Sequence, residues 1–176
     1  PEVNLLKVTM LMAVTADGMI GKNAQDFPDW TGREDKRMFR EITLKAGVLI
    51  IGSRTFDTIG RPLPGRKNVV LTRNPERISQ PPDLVFTDRE PRRILADLED
   101  EGYHHAVLAG GSIVNYLFAS QGLIDEMYIT YVPKIFGAGV PLFAGQVSLE
   151  LELISQKTLG EGRISVRYRV VDSARR

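Results

Sequence analysis

One predicted helix carries an acidic side chain on its apolar face. Four residues of the segment 32–45 stand at the helical spacing i, i+3, i+4 and i+7: Asp35, Met38, Phe39 and Ile42. Residues at this spacing share one face, so a carboxylate lies beside a hydrophobic stripe. Burial in an apolar cleft would raise its pKa and let it handle a proton near neutral pH. Two plainer interpretations stay open: an aspartate favoured by the helix dipole, or one partner of a surface ion pair.

The start of the same helix has its own pattern. Thr31 and Glu34 form a T-x-x-E sequence that is typical of a capping box, which predicts Thr31 as the N-cap. Trp30, the only tryptophan of the chain, comes directly before it. Such a residue is usually a core anchor, but here it could also form a wall of a pocket that holds Asp35.

A second segment, residues 52–73, concentrates positive charge. It holds five basic side chains and a single acidic one. Arg54 and Thr55 follow one predicted strand, and Arg73 ends the next. Because the ends of parallel strands meet at one edge of a sheet, these side chains could bind a phosphate there. An ordinary solvated basic loop is the alternative.

Two glycines, Gly110 and Gly111, separate a predicted strand from a predicted helix. Without a β-carbon, the backbone could approach a ligand closely at this point, and the start of the helix could hold a diphosphate. A tight strand–helix turn explains the same pair without a ligand. Asp17 and Gly18 are interpreted as a turn, not as a catalytic site.

The elements that must position these residues alternate between strand and helix. Buried strands are predicted from short apolar runs at residues 8–14, 47–51, 68–72, 84–86 and 106–109. Helices are predicted at residues 32–45, 54–59, 91–101 and 112–120. A long strand, 126–136, and a hairpin of 150–157 and 164–170 follow. The pattern predicts an α/β three-layer sandwich with a mostly parallel central sheet and an antiparallel C-terminal edge strand.

Composition narrows the chemistry. The 176 residues include no cysteine and only two histidines, His104 and His105, which excludes thiol chemistry and predicts no metal site. A net charge of +1 gives no general attraction to nucleic acid or membranes, and the apolar run 8–14 is too short to span a bilayer. The length suits a single domain over residues 1–176, and a cytoplasmic location is expected.

The stretch MFREITLKAGVLIIGSRTFDTIGRPLPGRKNVVLTR, residues 38–73, closely resembles the centre of dihydrofolate reductase. The run TIGRPLPGRKNVVLT is the most specific part, and the similarity extends in register over residues 10–143. The resemblance implies that family's α/β fold, NADPH as cofactor and dihydrofolate as the small-molecule substrate. It also implies reduction to tetrahydrofolate, by a monomer or a homodimer.

The resemblance further implies roles for individual residues. Asp35 falls on the acid that binds the pterin and assists its protonation, Trp30 on a tryptophan that organises water, and Thr130 on a threonine that bonds the carboxylate. Substrate contacts are implied at Leu11, Phe39, Ile59, Leu63, Arg66 and Ala109, with Arg66 on the glutamate α-carboxylate. Cofactor contacts are implied at Ala13, Ile20, Ser53, Arg54, Thr55, Thr72, Arg73, Gly110, Gly111 and Ser112. In the family the glycine pair is joined by a cis peptide bond.

Some positions depart from the family pattern. The loop 22–29 is longer than usual, Lys36 replaces an apolar residue, and Ser53 replaces an arginine beside the cofactor. The segments TADGMIG and IDEMYITYVPKIFGAGVPLF resemble the NADPH-dependent pyrimidine reductases of riboflavin synthesis. Two alternatives therefore stay open. One is the reduction of a ribosylaminopyrimidine phosphate held by Lys36 or Arg40, and the other is a non-catalytic nucleotide-binding protein.

Overall fold

An eight-stranded sheet and a small two-stranded sheet organise the computed structural model, which describes residues 6–26 and 28–171. The strands are β1 (Lys7–Thr15), β2 (Met19–Gly21), β3 (Val48–Gly52), β4 (Lys67–Leu71), β5 (Leu84–Thr87), β6 (His105–Leu108), β7 (Glu126–Val132), β8 (Val140–Pro141), β9 (Glu150–Thr158) and β10 (Ile164–Val171). The helices are α1 (Arg33–Ala46), α2 (Ser53–Ile59), α3 (Pro91–Asp100) and α4 (Ser112–Ser120), and a 3-10 turn, Asp29–Thr31, precedes α1.

The large sheet is parallel over most of its width and antiparallel at one end. Its order is β5-β4-β3-β6-β1-β7-β10-β9, and all neighbours from β5 to β7 are parallel. Strand β10 runs antiparallel to both β7 and β9. The predicted α/β sandwich with antiparallel C-terminal strands is confirmed, although the outermost strand is β9 and not the last strand of the chain. The apolar pattern does not predict the small sheet of β2 and β8.

Alternating side chains of the buried strands supply two hydrophobic cores, one on each face of the sheet. In β3, Val48 and Ile50 belong to the first core, whereas Leu49 and Ile51 belong to the second. Helices α3 and α4 pack on the first core, where Phe118 is fully buried. Helices α1 and α2 pack on the second core. The two helical layers complete the three-layer sandwich.

Two predicted boundaries are wrong. The strand predicted over 126–136 ends at Val132, because Pro133 follows and cannot donate a hydrogen bond to a neighbouring strand. The predicted N-cap, Thr31, lies in the 3-10 turn, and Gly32 occupies the cap position without a side-chain hydrogen bond. The positive φ of Gly32, 98°, turns the chain between the 3-10 turn and α1.

Buried Asn68 at the start of β4 ties the preceding loop to the sheet. Its side-chain amide donates to the carbonyl oxygens of Leu63, Arg66 and Asp83 at 2.9–3.2 Å, and its Oδ1 accepts from the Leu63 N–H. The backbone polar groups of this loop would otherwise lack partners in a buried place. One amide therefore fixes the loop that carries Leu63 and Arg66, two of the predicted substrate contacts.

We expect Asn68→Leu to lower the free energy of unfolding by about 3 kcal/mol, because it leaves buried backbone groups without hydrogen bonds. Urea denaturation followed by circular dichroism measures this loss. Gln156→Leu, on the exposed strand β9, is the matched control and should change the stability by about 0.5 kcal/mol or less. Equal losses in the two variants would contradict the role of Asn68.

Candidate active site

Asp35 lies in the first turn of α1, at the border of the second core. The apolar stripe predicted from the sequence is confirmed, since Met38, Phe39 and Ile42 all pack against that core. Burial raises the pKa of the Asp35 carboxyl above its ordinary value. No described basic side chain forms an ion pair with it. These observations favour a desolvated acid over the two plainer interpretations of this residue.

Four neighbouring groups oppose the rise in the pKa of Asp35 without cancelling it. The hydroxyls of Thr130 and Thr31 stabilise the charged carboxylate, as do the positive charges of Arg163 and Lys36. Desolvation is nevertheless the largest influence. The hydroxyl of Thr31 thus acts on the Asp35 side chain, which explains why it does not cap the helix backbone.

Thr130 reaches the site from the middle of the sheet. It pairs with Ala13 of β1 on one side and with Ser165 of β10 on the other, and it is completely buried. Its Oγ1 lies close enough to lower the pKa of Asp35, yet it completes no hydrogen bond of ordinary geometry with any residue of the described ranges. A buried hydroxyl in this state can serve both the carboxyl and a bound molecule.

Trp30 lies in the 3-10 turn that leads into α1, and its ring forms a wall of aromatic side chains together with Phe136. Its ring packs edge-on against Phe136, with the ring centroids 5.3 Å apart. The indole Nε1 is buried and has no acceptor among residues 6–26 and 28–171. A buried indole N–H ordinarily finds a partner, so this atom offers a donor to a molecule in the cleft. Sequence reasoning missed Phe136, which it placed in the long strand.

Arg163 is a second residue that sequence reasoning missed. It precedes β10 in the turn of the C-terminal hairpin, and its Nη2 donates to the carbonyl oxygen of Trp30 at 3.1 Å. Its Nη1 pairs with Glu161 at 2.8 Å. The contact joins positions 133 residues apart, and no local pattern carries such information. The only signal was the Gly160-Glu161-Gly162 hairpin.

Asp17 fastens the two loops beside this wall. Its carboxylate accepts hydrogen bonds from the Thr15 hydroxyl at 2.6 Å and from the backbone N–H groups of Phe136 and Gly137 at 3.2 and 2.7 Å. These hydrogen bonds, that of the Thr15 hydroxyl first, hold the pKa of Asp17 below its ordinary value. The predicted turn is confirmed by the positive φ of Gly18, 85°.

Arg66 lies at the other end of α1 from Asp35. It is 7% exposed, and its Nε and Nη2 donate to the carbonyl oxygen of Pro64, while Nη1 donates to the Thr43 hydroxyl. Burial and the nearby charge of Arg40 lower its pKa. No acidic side chain of the described residues pairs with it, so its positive charge is available to an anion. The remaining predicted substrate contacts all border the second core: Leu11, Phe39, Ile59, Leu63 and Ala109.

The predicted cofactor glycines join the ends of β3 and β6. The peptide bond between Gly110 and Gly111 is cis, as the resemblance implies, and the Gly110 carbonyl accepts from the N–H of Gly52 at 2.9 Å. A β-carbon on Gly111 would lie 3.5 Å from the Thr55 hydroxyl. The Oγ of Ser112 is buried without a described partner. Hydroxyls from the first turns of α2 and α4 therefore lie close to the backbone at Gly111, which is half-buried.

A groove of about 360 Å³ continues from the ends of β4 and β5. It is lined by Thr72, Arg73, Asn74, Pro75, Arg77, Phe86, Thr87, Asp88 and Arg89. Arg77 and Arg89 form ion pairs with Asp57 and Asp97, whereas Arg73 pairs with no described acid. Thr72 and Arg73 were predicted to bind the cofactor, and the structure places both in this positively charged groove. Ser53 and Arg54 lie apart from its lining, in the first turn of α2, and Ala13 and Ile20 are half-buried on β1 and β2.

The family model for dihydrofolate reductase matches residues 7–161. The chain belongs to the dihydrofolate reductase family. It is 32% identical over 126 residues to dihydrofolate reductase type 3 of Salmonella typhimurium, a match that spans 71% of each chain.

Solved structures from two branches share the fold of this dihydrofolate reductase family member. Dihydrofolate reductase from Enterococcus faecalis, complexed with NADP(H), superimposes with a TM-score of 0.74 at 26% identity and covers 94% of this chain and 97% of its own. A putative riboflavin biosynthesis protein from a Shewanella species reaches a TM-score of 0.81 at 23% identity, over 95% and 100% of the two chains. The second likeness is one of fold alone.

The polar groups of the site are a carboxyl, hydroxyls, an indole N–H and guanidinium groups. Within the described residues, no cluster of three or more histidine, aspartate or glutamate side chains is arranged to hold a metal ion. In the same part of the chain, no helix combines the length and the apolar character that a membrane crossing requires. This set of groups suits the transfer of a proton near the start of α1 and the binding of an anion near its end.

We expect Asp35→Asn to stabilise the fold at neutral pH. Because the pKa of Asp35 is raised in the folded state, the folded protein holds this proton more tightly than the unfolded chain. The charged form therefore destabilises the fold increasingly as pH rises through the folded-state pKa, and it costs nothing below the ordinary aspartate pKa.

Urea denaturation at about pH 4, close to the ordinary aspartate pKa, and at about pH 8 measures this effect. The variant should gain stability over the wild type at the higher pH and gain little at the lower pH. Asp100→Asn, at the exposed end of α3, is the control. A gain of the same size at both pH values would show that charge burial is not its cause.

Proposed function

We propose that this protein reduces 7,8-dihydrofolate to 5,6,7,8-tetrahydrofolate with NADPH. One observation carries the proposal. Helix α1 presents the desolvated acid Asp35 and, on the same face, Thr43, whose hydroxyl contacts the buried Arg66. The two positions are eight residues apart, which corresponds to about 12 Å along a helix. A flat polar ring, an apolar middle and a terminal carboxylate would span this distance, and dihydrofolate combines these three parts.

The proton chemistry rests on the raised pKa of Asp35. A carboxyl whose pKa is raised by burial keeps its proton to higher pH than an exposed one, so it can hydrogen-bond a pterin ring and assist the delivery of a proton to N5. The Thr130 hydroxyl would hold the carboxyl in place, and the Trp30 N–H would fix a polar group beside it. Apolar side chains of the second core, such as Phe39, would hold the ring system in one orientation.

Residues that could bind NADPH lie near the ends of the parallel strands. When bound, NADPH supplies the hydride that is transferred to C6 of the pterin. The unpartnered Ser112 hydroxyl, the Thr55 hydroxyl and the backbone at Gly111 fit a diphosphate. Arg73, without an ion-pair partner in its groove, fits a further phosphate, and this favours NADPH over NADH.

A ribosylaminopyrimidine phosphate is the second candidate substrate. Lys36 is exposed in the first turn of α1, directly after Asp35, where the family usually has an apolar residue. Its ammonium group, or the guanidinium group of the exposed Arg40, could bind the substrate phosphate. The buried, unpaired guanidinium of Arg66 has no counterpart in this substrate, and it therefore favours dihydrofolate.

Turnover with each substrate tests the proposal. Purified protein is mixed with NADPH and either dihydrofolate or the riboflavin-pathway pyrimidine, and NADPH absorbance is followed. We expect oxidation with dihydrofolate. Oxidation with the pyrimidine alone would replace the proposal by its second candidate, and binding of NADPH without turnover of either substrate would indicate a non-catalytic nucleotide-binding protein.

The Asp35→Asn variant is the control for the proton step in this assay. It keeps the size of the side chain and removes the acid, so turnover of dihydrofolate at neutral pH should fall at least ~100-fold. The loss should be smaller at acidic pH, where solvent can supply the proton. The same fractional loss at every pH would contradict a proton role for Asp35.

We expect Arg66→Leu to raise the KM for dihydrofolate roughly 100-fold and to change kcat little, because a charge-assisted contact remote from the reacting atoms is lost. Arg61→Leu, an exposed arginine in the same loop, is the matched control. A dihydropterin without the glutamate tail separates binding from folding. If its KM also rises 100-fold in Arg66→Leu, the arginine does not act on the substrate carboxylate.

A further inference from the structure

We propose that Arg163 is a positioning residue of the active site, which clamps the Trp30 turn against the start of α1 and places a fixed positive charge beside Asp35. The proposal deepens the proposed function, because it assigns a residue to the acid–tryptophan pair. Its first experiment does not depend on turnover.

The clamp consists of contacts with the turn on both sides of Thr31. On one side, Arg163 Nη2 donates to the Trp30 carbonyl at 3.1 Å. On the other side, the guanidinium lies so close to Gly32 that a β-carbon there would stand 2.7 Å from Arg163 Nε. Gly32 therefore leaves the space that the arginine fills. A single side chain from the C-terminal hairpin covers the connection between the 3-10 turn and α1.

The charge of Arg163 is weakly compensated for a buried group. The side chain is 14% exposed, and its one ion-pair partner, Glu161, is 84% exposed. An exposed partner in solvent contributes little, and the buried Nε has no acceptor within the described part of the chain. Burying such a charge costs free energy, and an uncharged side chain could close a hairpin without that cost. The charge has a group to act on in Asp35, whose ionised form it favours.

Few charged groups of the described residues surround Asp35 and Arg163. Asp35 is faced by Arg163 from the hairpin and by Lys36 from its own helix, and both positive charges favour its ionised form. Glu161 faces Arg163. Phe136 packs against the tryptophan ring, and Lys22 Nζ lies 5.4 Å from the centroid of the Phe136 ring. Arg163 is the one of these cations that also contacts the turn holding Trp30, so it couples the position of the indole to the charge of the acid.

The test uses the fluorescence of Trp30, the only tryptophan of the chain, because indole emission is sensitive to a change of charge or position near the ring. The full chain is titrated between acidic and neutral pH without any ligand. We expect a transition in the wild type that is absent from Asp35→Asn. In Arg163→Gln its midpoint should move to higher pH, because the carboxylate loses a favourable charge.

Two further variants separate charge from packing. Arg163→Lys keeps the charge and loses the fork of donors, so its midpoint should lie closer to that of the wild type. Arg169→Gln removes an exposed arginine of β10 that pairs with Glu152, and it should leave the midpoint unchanged. If Arg163→Gln does not fold, Arg163→Lys carries the test: its turnover should fall about tenfold, since the turn is held less precisely, at a nearly unchanged midpoint.

A folded Arg163→Gln variant with the wild-type midpoint would overturn the proposal and leave Arg163 a purely structural residue. A wild type without any transition that depends on Asp35 would overturn it as well, because the indole and the carboxyl would then not be coupled. If the midpoint moves as expected but neither substrate is turned over, the positioning role stands and the proposed function fails. The two proposals can therefore be judged separately.

Discussion

Desolvation of one carboxyl is the constraint on which the site depends. Asp35 loses water because the apolar face of α1 packs on the second core, and no neighbouring cation pairs with it closely enough to restore its ordinary pKa. The surrounding residues then have a common purpose. The hydroxyls of Thr130 and Thr31 and the positive charge of Arg163 all favour the ionised carboxylate, and desolvation outweighs them.

Some arginine side chains of the protein pair with acidic side chains, and others do not. Arg77 and Arg89 are paired with carboxylates at the groove, whereas Arg66 and Arg73 have no acidic partner among the described residues. The net charge of +1 hides this division. Guanidinium groups without an acidic partner at these two places suit the binding of anions such as carboxylates and phosphates. Local pairing thus carries functional information that the total charge does not.

Sequence reasoning was correct where the local spacing of apolar residues determines the structure. The stripe of Met38, Phe39 and Ile42 predicted the buried face of α1, and the short apolar runs predicted strands with two buried sides. The same reasoning identified the acidic residue of that stripe, because its helical spacing decides which face it occupies. Most of the α/β architecture follows from these two patterns.

Sequence reasoning failed where a side chain interacts with a segment that is distant in sequence. The T-x-x-E pattern predicted a capping box, but Thr31 serves Asp35 instead, and Gly32 occupies the cap because Arg163 needs the space above it. Arg163 itself is separated from the site by most of the chain, and its neighbours in sequence predict only a hairpin turn. Such contacts depend on how β10 pairs with β7, which no local spacing encodes.

The carboxylate of Asp17 joins two segments that are far apart in sequence but side by side at the cleft. It holds the turn after β1 and, through the N–H groups of Phe136 and Gly137, the loop that follows β7. Phe136 in turn supports the ring of Trp30. The two segments therefore have to be exchanged together. A chimaera with another family member will keep Trp30 packed against Phe136 only if both segments come from the same protein.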